Sequence, residues 1–567
     1  MTPFIDEKLD SDDSSYQVPG EYIIPESLLG TRRPIKVIVI GFGFSGIHLS
    51  YILGKQTKNS NITLQFYEKN PGLGGTWFEN FYPGCSCDIP AVNYQFTWHP
   101  KTDWKEYYAK AGETLQYLKD VVHLHKLDHN VKYSHRLTGA WWEPNKGQWT
   151  VRIQPNGDRT TEFFDHAEIL VSATGVLNKW KWPDLRGLER FKNVTHTASW
   201  DHSLDLRNKI VGVIGNGSSS IQAVPAILKE AHHVVNFIRS PSWVISGLGT
   251  KYSGKEGANI EYSEAQKKSF EDDPESYLEY RKAVEIEMNP TFAFAIKGTK
   301  EQLDFYEYAA SEMRRKLSKK PELADKLIPT TFAPGCRRPN PGFGYLEAIS
   351  SDKCTVTFSR IEEVTEAGIV TDDGILHKLD VLVCGTGFDV SFKPAFPIIG
   401  QDGLDLQDVF KDIPDTYLST MTPGFPNYFM MLGPFAPYGH GSVLPAMEVI
   451  ARNIAMTLEK FQTQNIKSLV PKKEAVADFR EHRNLYMKKT VWDDPCSAWF
   501  KLGPQGETVL MWPGSRLHCF DVLLHPRWED YDWEYLMGNR FSYWGNGFTT
   551  ADVSTDGTDR AWYIAGV

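Results

Sequence analysis

The sequence predicts an α/β fold with two dinucleotide-binding (Rossmann-like) domains and a helical insertion in the second. Three observations carry this prediction: a β-branched run that breaks at a glycine turn and continues as a helix, a second copy of that pattern, and a stretch of charged helix formers before strand-like segments resume.

With 567 residues the chain exceeds what one hydrophobic core usually organises, so two or three domains are expected. Residues 1 to 30 are polar, rich in Asp, Ser and Pro, and read as a flexible lead-in. Ile35 to Ile40 is too short for a helix and reads as a buried parallel strand. Gly41 opens a turn, Ile47 to Leu53 has helical apolar spacing, and a second strand, Ile62 to Tyr67, ends at Glu68. The pattern returns as a strand at Lys209 to Ile214, Gly215 and Gly217, a helix from Ser219 to Glu230, and a strand at Val234 to Ile238. Between about Lys255 and Leu327 the composition turns to charged helix formers. Strands resume at Cys354 to Phe358 and Asp380 to Cys384, and the Pro- and Gly-rich stretch Pro423 to Gly441 reads as a loop.

The first turn, Gly41-Phe-Gly43-Phe-Ser45-Gly46, lets backbone amides and a helix N-terminus approach a pyrophosphate that no side chain crowds. The hexamer alone is weak evidence; the flanking strand and helix, with Glu68 placed to accept from ribose hydroxyls, make it specific. In the second unit Ser220 replaces the third glycine, and the strand runs on to Arg239 rather than to an acid. A guanidinium there pairs with a ribose 2′-phosphate, which favours NADPH over NADH. One acidic and one basic ribose site in a single chain is what hydride transfer from NADPH to FAD requires.

Composition removes other classes. Lys plus Arg number 61 against 71 Asp plus Glu, a net charge of -10, so no basic field exists for nucleic acid. No apolar run reaches the roughly 18 residues that cross a bilayer, and the acidic N-terminus lacks a signal peptide's blocks. The 7 cysteines show no framework spacing and read as thiols in a reducing compartment, so a cytoplasmic address is expected. Cys85 and Cys87 would close too small a ring for easy dithiol chemistry and read as small apolar residues.

The run Gly74-Gly75-Thr76-Trp77-Phe-Glu-Asn-Phe-Tyr82-Pro-Gly84-Cys85-Ser86-Cys87-Asp88 resembles the signature of the Baeyer–Villiger monooxygenases. Ala173-Thr-Gly175, Arg239-Ser240-Pro-Ser-Trp243, Gly335-Cys-Arg337-Arg338-Pro339, Gly385-Thr-Gly-Phe-Asp389 and Gly424-Phe-Pro-Asn-Tyr428 agree with that family in order along the chain. The family's linker fingerprint is met in its second half by His196, Trp200 and Asp201. Phe191 stands one residue too close, and Asn193 replaces a glycine.

The resemblance implies a discontinuous FAD domain at 31–172 and 390–567, an NADP domain at 173–250 and 331–389, and the helical insertion at 251–330. It implies an enzyme using NADPH, O2 and a small-molecule ketone, in which a C4a-peroxyflavin adds to the carbonyl and a Criegee adduct rearranges to an ester or lactone. Negative charge on that adduct needs a fixed cation that keeps its proton, which suits arginine. Arg338 matches the family's cation and Asp88 the carboxylate that orients it, with Arg337 as the neighbouring choice. Cofactor contacts fall by the same resemblance on Gly41, Gly43, Ser45, Gly46, Glu68, Gly75, Thr76, Trp77, Ser86, Asp88 and Tyr94 for FAD. Those for NADP fall on Gly215, Gly217, Ser218, Ser219, Gln222, Arg239, Ser240 and Trp499, the last in a segment resembling the start of a loop that closes over NADP. His196 reads as a linker residue, not a base.

Two other readings stand beside this one. An N- or S-oxidising flavin monooxygenase would use a protonated hydroperoxide and gain little from an arginine. A decayed flavin-bearing scaffold would use the insertion to bind a partner.

Overall fold

A computed structural model describes residues 22–56, 61–247, 249–502 and 506–565. Most of the expected lead-in, residues 1–21, lies outside the described residues. Two five-stranded sheets, each wholly parallel, organise the chain. The first runs in the order Tyr428–Met430, Ile169–Ser172, Ile35–Ile40, Ile62–Tyr67, Val131–Lys132. The second runs Cys354–Thr357, His233–Phe237, Ile210–Ile214, Val381–Cys384, Val194–His196. In both, the strand that leads into a glycine turn sits at the centre, so the turn lies where the strand order reverses and a crevice opens at the carboxyl ends. Val37, Ile38 and Val39 are wholly buried, as expected of a strand covered on both faces.

The helices after the turns are Phe44–Tyr51, continued by a π-turn at Ile52–Gln56, and Ser218–Ile227. Four α-helices fill the insertion: Glu264–Asp272, Pro274–Met288, Lys300–Lys316 and Pro321–Leu327. Their starts follow from side chains: Ser263 forms a capping box with Gln266, Asp273 caps a helix that begins on Pro274, and Thr299 accepts from Gln302 N. The first pair sends Tyr277, Val284 and Met288 into the core of the first unit. The second sends Ala309, Ala310, Met313 and Leu317 into the core of the second. The insertion thus spans both. Buried Arg516 fixes it to the first unit through an ion pair with Glu285 and a 2.8 Å bond to Asn289.

Two expectations are corrected. The stretch 423–441 is not all loop: Tyr428–Met430 is the edge strand of the first sheet, too short to show a period. Nor are all the cysteines free. Cys336 and Cys496 form a disulfide with Cα atoms 6.1 Å apart, while Cys85, Cys87, Cys354, Cys384 and Cys519 remain thiols. A pair separated by 160 positions leaves no framework spacing in the sequence.

Candidate active site

At the first turn the glycines are required by contact. A Cβ on Gly41, whose φ is +103°, would meet Ala173 O at 2.6 Å, and one on Gly46 would meet Gly41 O at 2.2 Å. Gly43 packs against Gly75, with an added Cβ 3.4 Å from the Gly75 Cα. Two helix starts, Phe44–Tyr51 and Thr76–Glu79, therefore open side by side behind glycines. The result is a cradle of backbone amides with Ser45 half-buried in its first turn, and it fits a dinucleotide pyrophosphate. Glu68 is 3% exposed and accepts 2.8 Å bonds from Phe42 N and Asn70 N. Burial raises its pKa and those two amide bonds oppose the rise. Each oxygen retains a lone pair for a ribose hydroxyl. Thr76 is exposed, and Trp77 donates its indole N-H to Tyr94 OH at 3.3 Å.

The run from Tyr82 to Asp88 joins the two units. Tyr82 OH donates to Gln222 Oε1 at 2.7 Å, and Gln222 Nε2 donates to Ser86 O at 3.0 Å. Gly84, at φ +85°, sits where a Cβ would lie 2.4 Å from Gln222 O. Burial pushes the Cys85 thiol up to about 11 and the Cys87 thiol well above its ordinary value, so both stay protonated at neutral pH.

In the second turn Gly215, at φ +112°, approaches Gly385 O, which a Cβ would meet at 2.6 Å. Gly217 precedes the helix, Ser218 donates to Asn340 Oδ1 at 2.5 Å, and Ser219 is half-buried. Ser220, which stands in place of a third glycine, turns its hydroxyl inward to Ile214 O and Gly385 O, 3.4 Å from each. Arg239 is exposed just beyond its strand.

The paired arginines face opposite ways. Arg337 reaches into the second unit, donating to Ser240 Oγ at 3.1 Å, Pro241 O at 2.9 Å and Asn216 Oδ1 at 3.0 Å. Burial, then the nearby Arg239, push its pKa down to about 10. Asn216 closes the network by donating to Ser240 O at 2.8 Å. Arg338 turns to the first unit, with Nη2 2.8 Å from Asp88 Oδ2 and the two side chains 33% and 23% exposed. A guanidinium held by one carboxylate and still open to solvent can stabilise an anion placed beside it. Asn216 and Asn340 were missed in the sequence because neither stands at a glycine or charge position of the motifs.

Two residues lie apart from this constellation in their contacts. Trp499 is half-buried and meets Phe500 edge-on at 5.5 Å. His196 has both ring nitrogens engaged: Nδ1 accepts from Ala198 N at 3.1 Å, which leaves Nε2-H for Thr386 Oγ1 at 3.2 Å. Its ring stacks on Trp180 at 4.8 Å, and burial lowers its pKa to about 4. It is a neutral structural residue at working pH.

Residues 39–111 match the NAD(P)-binding Rossmann-like domain. The chain is 37% identical over 539 residues to the FAD-binding monooxygenase tazF of Aspergillus terreus, covering 94% of this chain and 95% of that protein. It is 36% identical to the FAD-binding monooxygenase stcW of Emericella nidulans, covering 97% and 91% respectively. Among solved structures, cyclohexanone monooxygenase from Rhodococcus sp. Phi1 bound to NADP+ superposes with a TM-score of 0.74 at 26% identity, over 89% of this chain and 100% of that one.

Proposed function

This chain belongs to the family of FAD-binding monooxygenases, on the fold of the Baeyer–Villiger enzymes, and from that premise we propose that it inserts one oxygen atom beside the carbonyl of a small-molecule ketone. FAD and NADP(H) are its cofactors. The product is an ester or lactone, with O2 supplying the inserted atom and water the other product.

The observation that carries this reading is the Arg338 to Asp88 pair, 2.8 Å apart and open to solvent on one side. Reduced FAD supplies activated oxygen when bound. What the chain must supply is a cation beside the carbonyl oxygen, where negative charge grows as oxygen adds. Arg338 keeps its proton in that role, and Asp88 fixes the direction of its fork. Among the described residues no histidine bonds to either.

The first cradle holds FAD. Gly41, Gly43, Ser45 and Gly46 take the pyrophosphate, Glu68 the ribose, and Gly75, Thr76, Trp77, Ser86, Asp88 and Tyr94 the flavin side. The second holds NADP(H). Gly215, Gly217, Ser218 and Ser219 take its pyrophosphate, Arg239 and Ser240 the 2′-phosphate, and Gln222 and Trp499 the nicotinamide end. The test is product analysis of substrates that carry a ketone beside an amine or a thioether, with NADPH and 18O2. Label in an ester or lactone is expected. Label confined to an N-oxide or sulfoxide overturns the reading.

A further inference from the structure

Cys336 immediately precedes Arg337 and Arg338 in a turn pinned at both ends. Beyond the arginines, Asn340–Pro341 pairs in parallel with Val244–Ile245. Before them, Ala333 N donates to Asp494 Oδ2 at 3.1 Å, and the disulfide joins Cys336 to Cys496 in the same segment as Asp494. The two cysteines are 0% and 1% exposed. Lys501, also buried, sets Nζ 3.5 Å from Cys336 Sγ and 2.5 Å from Asp494 O.

Between these anchors stand the two arginines, one on Asn216 and Ser240, the other on Asp88. Asp88 is the one carboxylate paired with Arg338 among the described residues, so the guanidinium's place depends on where the turn holds its backbone. We infer that the Cys336–Cys496 disulfide is a redox-sensitive positioning element that sets both arginines at once. Closed, it aligns Arg338 with Asp88 and Arg337 with the loop at Ser240. Opened, it frees one end of the turn and loosens both. The importance given to the arginines rests on the functional reading above; the bond itself does not.

Opening balances with a dithiol as reductant. Its thiolate attacks Cys496 Sγ, and the S-S electron pair leaves on Cys336 Sγ beside the Lys501 ammonium, which stabilises a thiolate. The reductant's second thiol then displaces Cys496, so that two electrons and two protons enter and the reductant departs as a cyclic disulfide. The new Cys336 thiol has Asp494 O, 3.0 Å away, as an acceptor. Because both sulfurs are buried, attack requires the turn to move. The closed turn holds Ser240 through Arg337, so a nucleotide bound at Arg239 and Ser240 binds the closed state more tightly, and by reciprocity it shifts the dithiol–disulfide equilibrium toward the closed bond by the same factor.

The test uses the full-length FAD-loaded protein. Alkylation after denaturation without reductant should label 5 cysteines, and mass mapping should recover the 336–496 peptide pair. In dithiothreitol redox buffers, reduction should weaken the Kd for NADP+ about tenfold, and saturating NADP+ should lower the bond's potential by the same factor, about 30 mV. At saturating NADPH the flavin should still bleach in the reduced protein, while hydrogen peroxide released per NADPH rises severalfold. Cys496→Ser should show the reduced protein's Kd and peroxide release and ignore dithiothreitol. Any of three results overturns the proposal: 7 labelled thiols in protein never exposed to reductant, a native bond that dithiothreitol does not open, or equal Kd and peroxide release in both states. Loss of ketone oxidation with this linkage intact would count against the functional reading alone.

Discussion

The two glycine turns share one backbone pattern and end in opposite charges, but the larger difference is burial. Glu68 closes the first site from within: it is 3% exposed and already bonded to two amides, so its geometry is set before any ligand arrives. Arg239 ends the second site at the surface, and its neighbour Ser240 is held by Arg337 from a distant part of the chain. A pre-built, closed site suits a cofactor that stays through turnover. An exposed site assembled from two segments suits one that must bind and leave each cycle. On the reading proposed above, the residues just past the two strands and their burial, rather than the glycine pattern, separate the resident nucleotide from the exchanging one.

The comparison breaks most sharply at its glycines. Gly41→Ala forces a Cβ to 2.6 Å from Ala173 O at a φ of +103°. That strain, about 1–3 kcal/mol, should yield pale protein with flavin content down about tenfold or more by absorbance. Gly215→Ala, with the same 2.6 Å approach to Gly385 O, should leave the protein yellow and weaken NADP+ in calorimetry. If Gly215→Ala also emptied the flavin, the two sites would not be independent.

Arg239→Ala sharpens the contrast in charge. Losing a charge-assisted bond to the 2′-phosphate should raise KM for NADPH about 10- to 100-fold. KM for NADH should move by less than about twofold, and steady-state kinetics with both nucleotides reads the difference.

Each unit also carries a buried neutral histidine. Burial, with Arg452 adding to it, lowers His48 in the first to about 3, and burial lowers His196 in the second to about 4. The unfolded chain takes up these protons near pH 6.5 while the native chain refuses them until far lower. Their contribution is thus complete above pH 6.5 and is lost as pH falls toward 4, by about 1.4 kcal/mol per pH unit for each. Urea unfolding at pH 7 and pH 5 should show the drop, and His196→Gln should remove the His196 share of it while leaving that of His48. The smallest effect lies where the units touch. Gln222→Ala removes the bonds to Tyr82 and Ser86, and about 1 kcal/mol of stability should go with them, with flavin content unchanged.

What the sequence disclosed follows period and burial. Ile35–Ile40 and Ile62–Tyr67 lie where they were predicted, because an apolar strand covered on both faces is a continuous hydrophobic run. The antiparallel sheet of His135–Glu143, Gln148–Pro155 and Phe163–Ala167 was not anticipated. Its strands alternate buried with partly buried or exposed positions, and polar residues such as Arg136, Arg152 and His166 break up the apolar pattern. The Arg338 and Asp88 positions were legible only through resemblance, since nothing local joins residues this far apart. Asn216, which orients both Arg337 and Ser240, had no signal at all: one asparagine in a glycine turn looks like any turn residue. The disulfide was hidden for the same reason of distance.

The most direct measurement follows Arg338→Ala by stopped flow through both halves of the cycle. Anaerobic bleaching of the flavin by NADPH should proceed within about threefold of the parent rate, because the nucleotide contacts are untouched. Ester or lactone formed per NADPH should fall about 10²- to 10³-fold, as expected when a charge-stabilising donor is removed. Product formation at the parental rate would contradict the account.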